Sequence, residues 1–357
     1  MEHMKQLEQI MDAIRTIEGD GFQYDETAIL SEYGEKKGKN SSVVIKVLSI
    51  FGGLLATLAF VVFLFILGIY DSEWGMLLLG IALAAVAVVI DRTYNSFILD
   101  TFSVCFYVLG VILFAFGLAS LEVNEDFVAL LVILMALGSL TITQNYVISF
   151  ISIITIGAAM LFLIMSYNIP DASHGYLLLY TVLLAFCFLN EAKLLTSSRK
   201  LAQLNGPLRI GLVFCLLFGL VAVGKNGLAP ISGSYLWVSS VGSIGLILYL
   251  ADKLLKRFGI VGQKKVLMLV LCVFTLLPTL FAPAISGALL IVLLSFLINY
   301  KTGFAIGIIA LIYFVIQYYY DLSLTLLTKS IILFSSGVVF LVFYFFFTQM
   351  TKTDEEV

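Results

Sequence analysis

VIKVLSIFGGLLATLAFVVFLFILGIY, residues 44–70, decides the fold class of this chain. After Lys46 the stretch carries no acidic or basic side chain. About 20 predominantly apolar residues are enough for an α-helix to cross the hydrocarbon layer of a bilayer. The stretch therefore predicts a transmembrane helix. Its small residues Gly52, Gly53 and Ala56 would let a neighbouring helix approach closely.

The composition of the whole chain indicates a protein with many membrane crossings. Hydrophobic residues make up 61% of the 357 positions and charged residues 12%, whereas soluble domains average about 25% charged residues. The formal net charge of −3 is too small a bias to favour nucleic acid as a partner. The expected partners are the lipid bilayer and another membrane protein, and the sequence names no small-molecule substrate.

Apolar runs alternate with short polar breaks from Val43 onward, and twelve runs fit this pattern. The fold class that follows is all-α, a transmembrane bundle of about twelve helices. Ten or eleven crossings are the alternatives, because several runs are shorter than the roughly 17 residues that a thin membrane requires. The predicted runs are 44–69, 75–90, 101–121, 127–142, 146–166, 176–190, 210–223, 235–251, 266–281, 284–298, 304–320 and 324–347.

The positions of Lys and Arg predict that both termini lie in the cytoplasm. Basic residues in short loops are strongly retained on the cytoplasmic side of a membrane. With the N-terminus inside, all of the 20 Lys and Arg residues except Lys225 and Lys329 fall in cytoplasmic segments. One of these segments, residues 191–209, ends with Arg209. The pattern favours an even number of crossings, because one missed helix would reverse the side of everything after it.

The chain divides into three parts. Residues 1–42 form a cytoplasmic N-terminal helical region with a basic linker, residues 43–348 the transmembrane bundle, and residues 349–357 a short acidic cytoplasmic tail. Apolar residues at helical spacing near the start predict one helix, and DETAILSEY, residues 25–33, predicts a second. The linker EKKGKNSS, residues 35–42, leads into the membrane.

YYYDLSLTLLTKS, residues 318–330, combines two opposite charges with an aromatic cluster between two apolar runs. One interpretation is an anchored helix start, with a carboxylate at the helix N-terminus, tyrosines at the headgroup level and a lysine that reaches the headgroups. The other is that the two charges reach a polar ligand inside the bundle, which requires a broken helix. The candidate functional or anchoring residues are Tyr318, Tyr319, Tyr320, Asp321 and Lys329.

Two segments resemble a bacterial membrane family catalogued as domain of unknown function 4401. The tyrosine-rich end followed by Asp-Leu-x-Leu-Thr-Leu-Leu-x-Lys-Ser resembles the closing signature of that family. Residues 44–70, with Lys46 and the pair Gly52 and Gly53, resemble its first helix. The resemblance extends over residues 30–345 and implies a bacterial inner-membrane protein. The family carries no established activity, so the resemblance transfers no catalytic residue.

Motifs for enzymatic chemistry are missing from the sequence. It contains no GxxxxGK[ST], GxSxG or HExxH pattern. The two histidines are His3 and His174, and Asp171 with His174 supplies too few ligands for a metal. We expect His174 to be a solvated loop residue. Each of the four cysteines lies alone in an apolar run, so we expect no disulfide, and we also expect no cofactor and no enzymatic activity.

Two functions stay open at this point. The first is a scaffold or partner subunit in the bacterial envelope, and the second is a secondary transporter of an uncharged or lipidic molecule. A carrier needs a central polar cavity with a path to one side, whereas a scaffold is packed throughout. We predict no deeply placed ionisable residue, because the acidic residues near the apolar runs fall at their cytoplasmic edges: Asp91, Asp100, Glu191 and Asp252.

Uncharged polar residues and two irregular breaks are the remaining candidates for a substrate path. The breaks are GKNGLAPISGS, residues 224–234, and LLPTLFAPAISG, residues 276–287, which both fall on the predicted outer side. If the protein has a substrate opening, the outer side at these two breaks is the first place to expect it. The polar residues lie within about a turn of predicted helix ends, which favours an interfacial role; they are Gln144, Asn145, Asn190, Asn299 and Gln317.

Overall fold

The computed structural model describes residues 43–94, 97–224, 235–257, 259–260 and 262–321, together with single positions between 327 and 345. Within these ranges the backbone forms helices, turns and short connections, and no strand. The predicted N-terminal helical region, the acidic tail and Lys329 lie outside the described residues.

The helices follow one another along the chain with short connections. Within the described ranges, three 3-10 helices lie between them: Ile69–Asp71, Pro170–Ala172 and Leu277–Phe281. The α-helices are α1 (Val43–Ile66), α2 (Glu73–Thr93), α3 (Phe97–Ser120), α4 (Glu125–Ile142), α5 (Tyr146–Ser166), α6 (Ser173–Leu189), α7 (Glu191–Ser197), α8 (Arg199–Gly224), α9 (Leu236–Arg257), α10 (Gln263–Leu276), α11 (Pro283–Leu297) and α12 (Lys301–Asp321).

The predicted apolar runs and the observed helices agree. Nine helices in the described ranges are long and apolar enough to cross a membrane, and two shorter apolar helices, in α1 and α11, join them. Together these account for the first eleven predicted runs. The twelfth run, 324–347, falls on residues that the structure describes only at single positions. The chain is therefore an all-helical, membrane-embedded protein over its described part.

Polar side chains set several helix boundaries. Asn145 precedes α5 and its Oδ1 accepts a hydrogen bond of 2.8 Å from the Val147 amide. Asn124 and Ser72 cap α4 and α2 in the same way. Such caps satisfy amide groups that have no partner inside the helix. The prediction that Asn145 belongs to a helix end is thus confirmed.

α8 forms the centre of the larger half of the bundle, and it contacts α5, α6, α11 and α12. In each span we compared the most apolar stretch of 18 residues. In the spans that contain α6 and α8, 56% of this stretch is buried inside the protein, whereas in the span that contains α10 only 11% is buried. Side chains from α8 and α11 are almost fully enclosed at the centre: Leu216, Leu220, Leu290, Ile291 and Leu294. α6 and α8 therefore run through the core, and α10 lies at the periphery.

The backbones of α2 and α3 lie in close contact. A Cβ atom built on Gly80 would lie 2.5 Å from the Phe114 amide nitrogen. One built on Gly110 would lie 2.7 Å from the Ala84 nitrogen and 2.8 Å from the Gly80 carbonyl oxygen. These glycines let the two backbones touch, as small residues do in membrane helix pairs. Neither glycine was among the predicted helix contacts.

The small residues predicted to serve as contacts in α1 behave differently from one another. Gly53 is buried, and a Cβ atom there would lie 2.7 Å from Thr101 Cγ2 of α3. Gly52 and Ala56 are exposed, and the space beside Gly52 is open. The prediction is correct for Gly53, whereas Gly52 and Ala56 are exposed within the described bundle.

The described helix ends gather at two ends of the bundle. We call one the Arg92 end; it brings together the C-terminal ends of α2 and α4 and the N-terminal end of α8. We call the other the Asp321 end; it brings together the C-terminal ends of α8 and α12 and the N-terminal ends of α9 and α11. Both ends contain a cavity.

Candidate functional site

The cavity at the Asp321 end lies where the two predicted irregular breaks meet the tyrosine-rich stretch. It has a volume of about 190 Å³. Gly224 and Leu236 border it from the two sides of the 224–234 break, Pro283 from the second break, and Tyr318 and Asp321 from α12. Three segments that are far apart in the sequence therefore converge on one opening.

The candidate residues of the tyrosine-rich stretch divide between the cavity and the surface. Asp321 is the last residue of α12, is exposed and borders the cavity together with Tyr318. Tyr319 and Tyr320 form an edge-on aromatic pair with ring centroids 6.0 Å apart. Lys329 and residues 322–326 fall outside the described residues. The predicted capping of a following helix by Asp321 stays a prediction.

Gln317 is a polar group of this cavity. It lies one turn before Asp321 and borders the cavity. Its Oε1 atom is buried and has no hydrogen-bond partner among the described residues. A buried amide oxygen of this kind favours a donor from a bound molecule or water. The interfacial role of Gln317 stays a prediction, and its buried oxygen adds a polar atom at the border of this cavity.

His174 is buried, and the expectation of a solvated loop residue is wrong. It lies in the first turn of α6 with only 3% of its surface exposed. Its Nδ1 atom is 3.1 Å from Ser239 Oγ of α9, within hydrogen-bonding distance. The helix begins at Ser173, earlier than the apolar run suggested, and this places His174 against α9. Three serines of α9, Ser239, Ser240 and Ser243, are buried nearby. Their occurrence together in an apolar run was the signal in the sequence that pointed to a polar contact.

The burial of His174 predicts slow chemical modification. In a His3→Ala background, diethyl pyrocarbonate should acylate His174 far more slowly in the folded protein than in the denatured protein, because water-borne reagent does not reach the ring. Mass spectrometry of the modified peptide measures the rate. Acylation at the rate of a free imidazole would contradict the buried position.

A second polar contact lies deep in α8 toward the Arg92 end. Arg209 was predicted to end a cytoplasmic loop, but it lies inside α8 and its side chain is 10% exposed. Its Nη2 atom is 2.5 Å from Glu191 Oε2 of α7. The guanidinium carbon lies 5.5 Å from the ring centroid of Phe188 and 5.9 Å from that of Tyr300. Arg209 is therefore an ionisable residue buried inside the protein, near the connections that carry Glu191 and Tyr300. The absence of ionisable residues near the middle of the membrane stays a prediction.

The surroundings of Arg209 explain how a cation is tolerated there. The carboxylate of Glu191 neutralises it, and the two aromatic faces add a cation–π attraction. Burial raises the pKa of the Tyr300 phenol, although the positive charge of Arg209 acts in the opposite direction. Tyr300 therefore stays neutral beside the pair. Asn205 is also buried in α8, and its Oδ1 has no partner among the described residues.

The chemistry available at these sites is hydrogen bonding and ion pairing. Within the described ranges no group of three or more His, Cys, Asp and Glu side chains is placed to hold a metal ion. The four cysteines, Cys105, Cys187, Cys215 and Cys272, are free thiols. At the Asp321 end a carboxylate, an amide and a phenol border one small cavity, which suits a neutral polar group or a donor-rich ligand.

Comparison with known proteins gives one family match. The model of a family described as "Domain of unknown function (DUF4401)" matches residues 43–350. No curated protein and no solved structure matches the chain significantly. The matched range includes every described helix.

Proposed function

This chain belongs to the DUF4401 family, and we propose that it is a multi-pass protein of the bacterial cytoplasmic membrane that serves as a scaffold or partner subunit. The proposal includes twelve crossings with both termini in the cytoplasm, and it includes no enzymatic role. The alternation of basic and acidic breaks in the sequence supports the orientation. The family itself carries no known function.

The filled centre of the bundle is the observation that carries the scaffold proposal. Leu216 and Leu220 of α8 meet Leu290, Ile291 and Leu294 of α11, and all five are buried almost completely. A carrier is expected to keep a polar cavity near this depth. Apolar side chains occupy that position here, which favours a protein that holds other proteins rather than one that moves a solute.

An open apolar groove supports the same proposal. α3, α4 and α5 enclose a groove of about 740 Å³ on the outside of the bundle. Ala119, Ala158 and Ala159 border it, and small side chains let a further helix approach closely.

A photo-crosslinker placed at Ala158 should give one discrete protein adduct in the native membrane. A crosslinker at exposed Ile309 of α12 serves as the control, and equal, diffuse labelling at both positions would contradict a partner in the groove.

Transport of an uncharged or lipidic molecule is the second candidate, and the cavity at the Asp321 end favours it. The unpaired Oε1 atom of Gln317 and the two irregular breaks resemble the start of a substrate path. The two candidates differ in what lies below that cavity. In a closed bundle the cavity ends at this depth, whereas in a carrier the cavity continues inward as a water-filled passage.

Single-cysteine labelling distinguishes the two candidates. The four native cysteines are replaced, and single cysteines are placed at Gln317, Ala310 and Ile309. Ala310 lies about 10 Å below Gln317 along α12 and faces the protein, whereas Ile309 at the same depth is 68% exposed. With a membrane-impermeant maleimide on intact cells, a scaffold should label at Gln317 alone. Labelling at Ala310 but not at Ile309 would replace the scaffold proposal by a carrier.

A further inference from the structure

A cavity of about 320 Å³ lies at the Arg92 end, separate from the cavity beside Asp321. Three helix ends form it: the C-terminal ends of α2 and α4 and the first turn of α8. Its volume falls within the range of small-molecule sites, roughly 300–1,000 Å³. In the sequence, its basic residues indicated only the orientation of the chain in the membrane.

The cavity is lined by three cations and by no acidic residue among the described positions. Arg92 comes from α2, and Arg199 and Lys200 come from α8. Asp91 does not line the cavity, but its Oδ2 accepts hydrogen bonds from two residues that do, from Thr143 Oγ1 at 2.7 Å and from the Gln144 amide at 3.0 Å. The three cations of the lining outnumber this one adjacent carboxylate, so the cavity keeps a positive charge.

Two of the cations are held in place by the end of α4. Arg92 Nε donates to the Ile142 carbonyl at 3.1 Å, and Lys200 Nζ donates to the Thr141 carbonyl. Cations are favoured at a helix C-terminus, so these bonds explain part of the arrangement. However, carbonyl groups carry no net charge. Within the described ranges these two bonds use one N–H group of each side chain, and the terminal amino groups of Arg92 and the other ammonium protons of Lys200 can donate to a further acceptor.

We propose that this cavity binds a phosphate group, which a lipid headgroup or a phosphate-bearing solute would supply. A phosphate offers several strong acceptor oxygens, and guanidinium and ammonium groups bind it by charge-assisted hydrogen bonds. The N-terminal end of α8, which begins at Arg199, adds amide groups and a favourable dipole. Clustered basic residues at the ends of transmembrane helices bind anionic headgroups in this way.

Native mass spectrometry of the full-length protein in detergent tests the proposal. The probes are dioleoylphosphatidylglycerol, dioleoylphosphatidylcholine and inorganic phosphate. The variant Arg199→Gln with Lys200→Gln removes two cations from the cavity. The matched control, Lys253→Gln with Arg257→Gln, removes two cations that are exposed on α9 and lie outside the cavity lining. Arg199→Gln alone preserves the bond of Lys200 to α4, so it tests the site even where the double variant folds poorly.

Phosphatidylglycerol should bind the wild-type protein more tightly than phosphatidylcholine, and the double variant should weaken it by about tenfold or more. The control pair should leave the affinity nearly unchanged. Resistance of this binding to excess inorganic phosphate identifies the lipid headgroup as the ligand, and displacement by phosphate identifies a soluble phosphate compound. Equal affinity for the two lipids combined with no phosphate binding, or an equal loss in both double variants, would overturn the proposal.

Discussion

Replacement of Glu191 by alanine is expected to destabilise the protein by about 3 kcal/mol, because it leaves the Arg209 cation buried without its counter-charge. The side chain of Arg209 is 10% exposed, whereas that of Glu191 is 31% exposed. Water therefore reaches the pair from one side. For this reason we expect a loss of stability at the low end of the range for buried ion pairs that lose one partner. The loss appears as a lower midpoint in equilibrium denaturation of the purified protein.

A second variant separates the charge from the packing. Glu191→Ala combined with Arg209→Met removes both charges and fills the space with an apolar chain, so it should be more stable than Glu191→Ala alone. Lys256→Ala serves as the matched control, because Lys256 pairs with Asp252 but is 63% exposed, and such solvent-screened pairs contribute little to stability. If Glu191→Ala costs no more than Lys256→Ala, Arg209 is solvated in the folded protein.

Gly110→Ala is expected to cost about 3 kcal/mol, the upper end for an overpacked site. The added methyl group would lie 2.7 Å from the Ala84 nitrogen and 2.8 Å from the Gly80 oxygen. Backbone atoms cannot move aside as a side chain does, so α2 and α3 must separate along their whole contact. The melting temperature in detergent measures the effect.

Gly138→Ala is the control for this substitution. Gly138 also lies inside a helix, α4, but a Cβ atom there meets nothing within 4 Å. The change should be neutral or stabilise the protein by up to about 1 kcal/mol, because alanine favours the helix more than glycine. Similar effects of the two variants would contradict the close contact between α2 and α3.

The number and position of the helices could be predicted from the sequence because the signal is local. A run of apolar residues bounded by polar caps marks a helix regardless of its neighbours, and the first eleven runs agree with the described helices. The faces of these helices could not be predicted. A transmembrane helix is apolar all round, so nothing in α1 distinguishes Gly53, which contacts α3, from exposed Gly52.

The buried polar contacts required knowledge of which helices touch. His174 bonds to Ser239, which lies 65 positions away, and Arg209 lies near Tyr300 of α12. Each residue taken alone stands close to the end of an apolar run and suggests a solvated position. The cavity at the Asp321 end could be anticipated better. Each of the three segments that border it contains glycine, proline or charged residues, and these made the segments recognisable in the sequence.

The shortness of α11 has a consequence for how the protein adapts to different membranes. Its 15 residues span only about 22 Å, less than the roughly 30 Å of the hydrocarbon layer. A helix of this length in contact with lipid would create hydrophobic mismatch. Ala288, Leu290 and Ile291 are fully buried, and α8, α9 and α12 contact α11. Protein rather than lipid thus sets its depth, and in bilayers of different thickness the peripheral helices would tilt around a fixed α11.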